Sequence, residues 1–359
     1  MSEGLRGEAE VRAAFRSQAG HCRGLGSPFV ATLCDLAAER LTSDNPVGRF
    51  ILAWDGDPAP SADSVPLRFA GALHALVLAG RDPRLERVYP PHVTQAQDLW
   101  QAVEATCRDH AEILIAGLAS PPQTNEVRRS AALLPGFLTI AERFGLPLCL
   151  SEVGASAGLN LIWDHYAYEL GSSRWGNTQA SVRLAPDWSG HPPPQANSIV
   201  LERAGCDLRP VNAGDPEDAL RLLSYLWADQ TDRIERTRAA LGLAVEAGVV
   251  IEKADALSWL ERRLAERRPG CVHVIYHTIV WQYLPKAARE AGEALIEAAG
   301  RSASDDSPLA HLSLESDGLD PGAALVLQLW PTGERRQLGR ACFHGRWVNW
   351  QGWDAGSTF

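Results

Sequence analysis

Residues 146–160 read Leu-Pro-Leu-Cys-Leu-Ser-Glu-Val-Gly-Ala-Ser-Ala-Gly-Leu-Asn, and this stretch decides the fold. A short apolar run ends in an acidic residue, and small residues follow. Such a run, bounded by glycine, reads as a buried strand feeding a tight turn. Small residues let the backbone turn sharply and pass close to a ligand. N–H groups exposed at a helix start favour polar or anionic groups. The spacing predicts that this turn opens a helix.

Downstream, strand patterns at 198–203, 248–255, 271–280, 308–315, 323–330 and 339–350 mostly alternate with amphipathic helices at 215–242, 256–268 and 285–300. That alternation implies a parallel sheet with helices on its faces. The short link PTGERR (331–336) predicts an antiparallel hairpin at the end. The expected class is α/β, a Rossmann-like sheet of methyltransferase type spanning 146–359. Upstream, residues 1–145 carry apolar residues at helical spacing, punctuated by SDNPVG (43–48), WDGDPAPSADSVP (54–66) and ASPPQTN (119–125). They predict an all-α N-terminal domain, a lid or cap.

Of the 359 residues, 45% are hydrophobic, which is ample for a core. A net charge of -10 argues against general binding to nucleic acid, which needs clustered Lys and Arg. No apolar run approaches the ~18 residues of a membrane span, and the charged start lacks a signal-peptide core, so a cytoplasmic protein is expected. The seven cysteines are scattered, odd in number and without a CxxC pair. Free thiols are expected, with no structural metal site.

The turn at 152–158 has two chemical readings. An acidic residue followed by G-x-[GS]-x-G fits a loop for S-adenosylmethionine, with Glu152 anchoring the methionine end and Gly154, Ser156 and Gly158 lining its path. G-x-S-x-G also fits a hydrolase elbow with Ser156 as nucleophile, His344 as base and Asp317 or Asp320 as acid. A plain strand–helix turn is the third possibility. Helices rather than strands precede residue 146, which favours the first reading.

Ligands of open α/β sheets sit beyond the carboxyl ends of the strands. Glu202, with Asp207 as competitor, is therefore the candidate for a ribose. Asp255 is the candidate for an adenine, and His277 for a general base that deprotonates the acceptor. Trp281 is the candidate for stacking on a substrate or sulfonium, with Tyr283 and Trp330 as further aromatics. Either Thr124 or Asn125 caps a helix whose dipole Glu126 favours, or Asn125 and Glu126 reach over the site to touch substrate. For each acid and for His277 the alternative is a cap, a surface carboxylate or a bonded core side chain.

Several segments together resemble a bacterial domain-of-unknown-function family, number 2332. They are EVGASAGLNLIWDHYAYELG, AGCDLRPVN, SYLWADQTDR, YHTIVWQYLP, HGRWVNW, HCRG and PPQTNEVRRSA. The likeness runs over essentially the whole chain and implies no particular activity. A more distant similarity to S-adenosylmethionine-dependent methyltransferases rests on the glycine loop and the strand order. It implies methyl transfer to a small-molecule acceptor. A serine hydrolase and a non-catalytic protein holding a nucleotide-like ligand are the alternatives. The chain departs from the methyltransferase pattern by an aromatic- and proline-rich insertion at 163–197 and by a short link, SDGLDPG (316–322), where a crossover helix would stand. The glycine loop, Asp255 and His277 are expected to converge at one sheet edge beside the 123–126 turn.

Overall fold

The computed structural model describes residues 2–354 and 357–358. Its helices are α1 (Ser2–Gly24), α2 (Pro28–Arg40), α3 (Pro46–Leu52), α4 (Val65–Leu78), α5 (Pro83–Glu86), α6 (Ala96–Asp109), α7 (Ala111–Leu118), α8 (Arg129–Phe144), α9 (Pro216–Ser224), α10 (Thr231–Glu246), α11 (Ala256–Ala265) and α12 (Lys286–Arg301). The strands are β1 (Leu148–Val153), β2 (Ala167–Leu170), β3 (Ser173–Trp175), β4 (Arg183–Leu184), β5 (Asp187–Gly190), β6 (Val200–Asp207), β7 (Ile251–Lys253), β8 (Val272–Thr278), β9 (Leu309–Glu315), β10 (Ala323–Trp330), β11 (Glu334–Ala341), β12 (Trp347–Trp350) and β13 (Ser357–Thr358). Among the described residues no helix is long and apolar enough to cross a membrane.

The chain forms two compact units, residues 1–124 with 216–235, and residues 125–215 with 236–359. Helix α8, placed by its sequence in the helical domain, belongs with the sheet. The single long helix expected over 215–242 is α9 and α10, and its first part joins the helical unit.

Helices of the first unit start where a polar residue meets proline. Asn45 and Asp82 accept hydrogen bonds from first-turn N–H groups, and Pro46 and Pro83 follow them. Proline is preorganised for the first helical position and lacks an N–H that would go unbonded there. The core behind them gathers Val11, Phe15, Leu33, Phe69, Leu73, Leu99 and Val103. Asp229 ties the returning segment down by accepting from Ser27 Oγ (2.5 Å) and Phe29 N (2.9 Å).

The second unit is built on one large, mostly parallel sheet, in the order β5-β12-β11-β10-β9-β8-β1-β6-β7. β1 is central and parallel to both β6 and β8. β10 runs antiparallel to β11, as the hairpin signal predicted, and also to β9. The pattern read as one strand over 339–350 is the end of β11, a turn and β12, because Gly345 breaks it. The 163–197 insertion makes a small sheet β3-β2-β4, then contributes β5 to the far edge of the large sheet.

One sheet face packs on α8. There Gly136 lets the helix backbone approach Leu312, since a Cβ would stand 2.7 Å from its Cδ1. Phe137 stacks on Trp163 of the insertion and meets the Tyr276 ring edge-on. The other face is covered by α11 and α12 through Val153, Ile275, Trp259, Trp281, Ile296 and Trp330.

Candidate active site

The glycine loop does not open a helix. Residues 154–162 are turns, followed by one short 3-10 turn at Trp163–His165. Gly154 and Gly158 have φ of +71° and +72°, outside the helical region, and residues 159–163 are buried on every side, so no amphipathic helix can form.

The loop is also full. Gly154 N and Ala155 N donate to Cys206 O, and Ser156 N donates to Asp207 Oδ2 at 2.9 Å. Ala157 N and Leu159 N donate to Asn125 Oδ1 at 3.2 and 2.9 Å. Val280 packs where a side chain of Gly154 would stand, and Val249 and Ile251 do the same at Gly158. A cradle with its donors taken and its glycines backed by side chains does not fit S-adenosylmethionine.

Glu152 lies beneath this loop. Burial pushes its carboxyl up to about 8, against the weaker pull of a bond from the Tyr276 hydroxyl (3.3 Å). Asn125 does reach the loop, but as part of its packing. Neither Thr124 nor Asn125 caps α8, which starts after Arg128. Glu126 is buried and accepts from Arg128 N.

The other expected positions separate. Glu202 is not at a strand end, because β6 continues to Asp207. It pairs across with Cys149 and binds Arg263 (2.7 Å) and Arg268. Asp207 holds the strand end, and its oxygens are bonded to Ser156 N and Arg209 N. Asp255 caps α11, accepting from Leu257 N and Ser258 N. Ser156 has φ +54°, the left-handed turn of an elbow, yet its buried Oγ has no hydrogen-bond partner and therefore no base. Asp317 is held by Arg340 through two bonds, 2.6 and 2.9 Å.

His277 and Trp281 come together in a different place. Side chains alternate faces along a strand, so Tyr276 joins Glu152 on the α8 side and His277 points to the α12 side. There it lines a cleft of about 930 Å³, floored by β9 and β10 and walled by α12. Trp281 stacks on the imidazole, with centroids 4.3 Å apart and planes at 15°. His277 Nδ1 is 2.8 Å from Glu315 Oε1, and its Nε2 is 3.0 Å from Nε2 of His311. Glu315 Oε1 also accepts from Val280 N and Trp281 N. Its Oε2 and the Trp281 Nε1 are buried with no partner.

The three side chains form a relay. Glu315 Oε1 faces His277 Nδ1, and the two Nε2 atoms face each other, so every bond is met when His277 turns its Nδ1 proton to Glu315 and one imidazole donates an Nε2 proton to the other. Burial, then the neighbouring His277 and Arg335, hold the His311 imidazole well below its usual pKa, so it is neutral at pH 7. The cleft is lined by five carboxylates, those of Glu290, Glu293, Glu297, Glu315 and Asp317, against two guanidinium groups.

Residues 12–350 match the family described as an uncharacterized protein conserved in bacteria, DUF2332. The chain belongs to that family. No curated protein and no solved structure matches the chain. In this DUF2332 protein the sequence reading missed His311 and Glu315. The signal lay in Leu309–Glu315, where His311, Ser313 and Glu315 alternate with buried residues and all face the cleft. Among the described residues no group of three or more His, Cys, Asp or Glu is placed to hold a metal ion.

Proposed function

We propose that the DUF2332 protein is an enzyme whose active site is the α12–β9–β10 cleft, and that it performs general acid–base chemistry on a small polar molecule. The observation that carries this reading is the Glu315–His277–His311 chain. A carboxylate orients one imidazole, which orients a second, neutral imidazole partly exposed in the cleft. His311 is the acceptor in this reading, and His277 is the positioning residue. The charge that arrives on His311 is stabilised by His277 and, beyond it, by Glu315.

A second reading keeps methyl transfer and moves its ligand. The carboxylate excess of the cleft favours a cationic ligand, and S-adenosylmethionine carries both a sulfonium and an ammonium. This reading places the cofactor against α12, not in the glycine loop.

A thermal-shift screen of polar metabolites, S-adenosylmethionine included, tests both readings, because a ligand that binds only the folded state raises the melting temperature. Ser313→Trp fills the floor of the cleft and should abolish every true shift. With a substrate in hand, Glu315→Gln and His311→Gln should each lower kcat by roughly 100-fold or more with KM little changed. If every hit shifts Ser313→Trp as fully as wild type, the site lies elsewhere.

A further inference from the structure

We infer that a second pocket of the sheet unit binds a small polyanion of phosphate type. Arg128, Arg183, Arg236 and Arg346 line one cavity of about 360 Å³, with Asp187 as its single carboxylate and Ala131 of α8 at its wall. The four come from four different places: the residue before α8, strand β4, helix α10 and the turn before β12. A chain with a net charge of -10 thus gathers four guanidinium groups around one small space.

The backbone holds these groups in place. Gly345 has φ +62°, and a Cβ there would lie 2.4 Å from Arg128 O, so the turn carrying Arg346 is pressed against the start of α8. Asp187 N donates to Arg346 O at 2.8 Å, and an Arg183 Nη2 donates to Thr178 O at 2.7 Å. The turn that carries Arg346 and the Arg183 guanidinium are thus tied to the surrounding backbone.

Guanidinium forks match the oxygens of phosphate and carboxylate groups and bind them through paired, charge-assisted hydrogen bonds. The start of α8 adds its dipole, although the N–H groups of residues 129–131 already bond to residues 126–128. The guanidinium groups therefore supply the contacts. The cavity volume suits a diphosphate or a sugar phosphate. The site shares no residue with the acidic cleft, and the two differ in charge.

Isothermal titration with inorganic phosphate, pyrophosphate and citrate, at constant ionic strength, tests the inference. Pyrophosphate should bind saturably and more tightly than phosphate. Arg346→Gln and Arg183→Gln should each weaken it by roughly tenfold or more, as loss of a charge-assisted bond does. Arg183 is exposed, so its variant keeps the fold even if Arg346→Gln does not. Citrate binding more tightly than pyrophosphate, and lost in the same variants, would support the anion site and assign it to polycarboxylates. No saturable binding at millimolar anion, or wild-type affinity in the Arg183→Gln, Arg346→Gln double variant, would overturn it.

Discussion

Urea unfolding is expected to show greatest stability near pH 6.5, falling by about 2 kcal/mol as pH rises to 8. The descending arm comes from Glu152. Its folded pKa of about 8 lies above the ordinary 4.5, so the folded state holds a proton that the unfolded state has lost. Such a group contributes fully below the unfolded pKa, and its contribution drains away until the pH passes the folded one. The ascending arm comes from histidines. Burial first, then Arg268 and Arg263, push His273 down to about 3, and His311 is shifted the same way. Their contribution is complete above the ordinary 6.5 and is lost as pH falls below it. The slope per group is about 1.4 kcal/mol per pH unit. Glu152→Gln keeps the shape, removes the charge and should flatten the profile between pH 6.5 and 8. An unchanged slope in that variant would assign the descending arm to other groups.

Gly154→Val should destabilise the sheet unit by about 2–5 kcal/mol, the sum of a left-handed backbone forced on a branched residue and an overpacked contact. A Cβ at this position would stand 2.4 Å from Cγ2 of Val280. The melting temperature should drop by roughly 10 °C. Val280→Ala in the same background removes the nearest methyl groups but leaves the Val280 Cβ at 2.9 Å and the φ of +71°, so it should restore part of the loss. Full restoration would show that the backbone conformation costs nothing here. A lost ligand shift in Gly154→Val alone would say little about a cofactor, since the residue is structural.

The strands were legible because burial of both faces or of one leaves a period in the sequence. β1, β8 and β10 are near-continuous apolar runs, and β9 alternates. The hairpin was legible in its short link. The glycine loop misled for a physical reason. Its N–H groups are satisfied by Asn125, Cys206 and Asp207, residues about 30 to 50 positions away, and no local pattern records such pairings. His277 was readable as a strand-end histidine facing chemistry. Its partners were not, because they sit on the next strand, and the register that aligns His277 with Ser313 is a property of the folded sheet alone.

Strand β5 joins the sheet at the opposite end from β7, although both follow β1 in the chain. Among the described residues its one partner is β12, which is made some 160 residues later and runs parallel to it. The central strand itself waits for β6 and then for β8. Contacts of such long sequence separation slow folding, since the intervening chain must be closed before they form. On a ribosome the 163–197 segment therefore emerges long before anything exists to pair with it. Its aromatic residues are then held in check only by the small β3-β2-β4 sheet and by α8, already made upstream. A chain cut short before β12 would leave β5 as an open edge, the kind of exposed strand on which proteins aggregate.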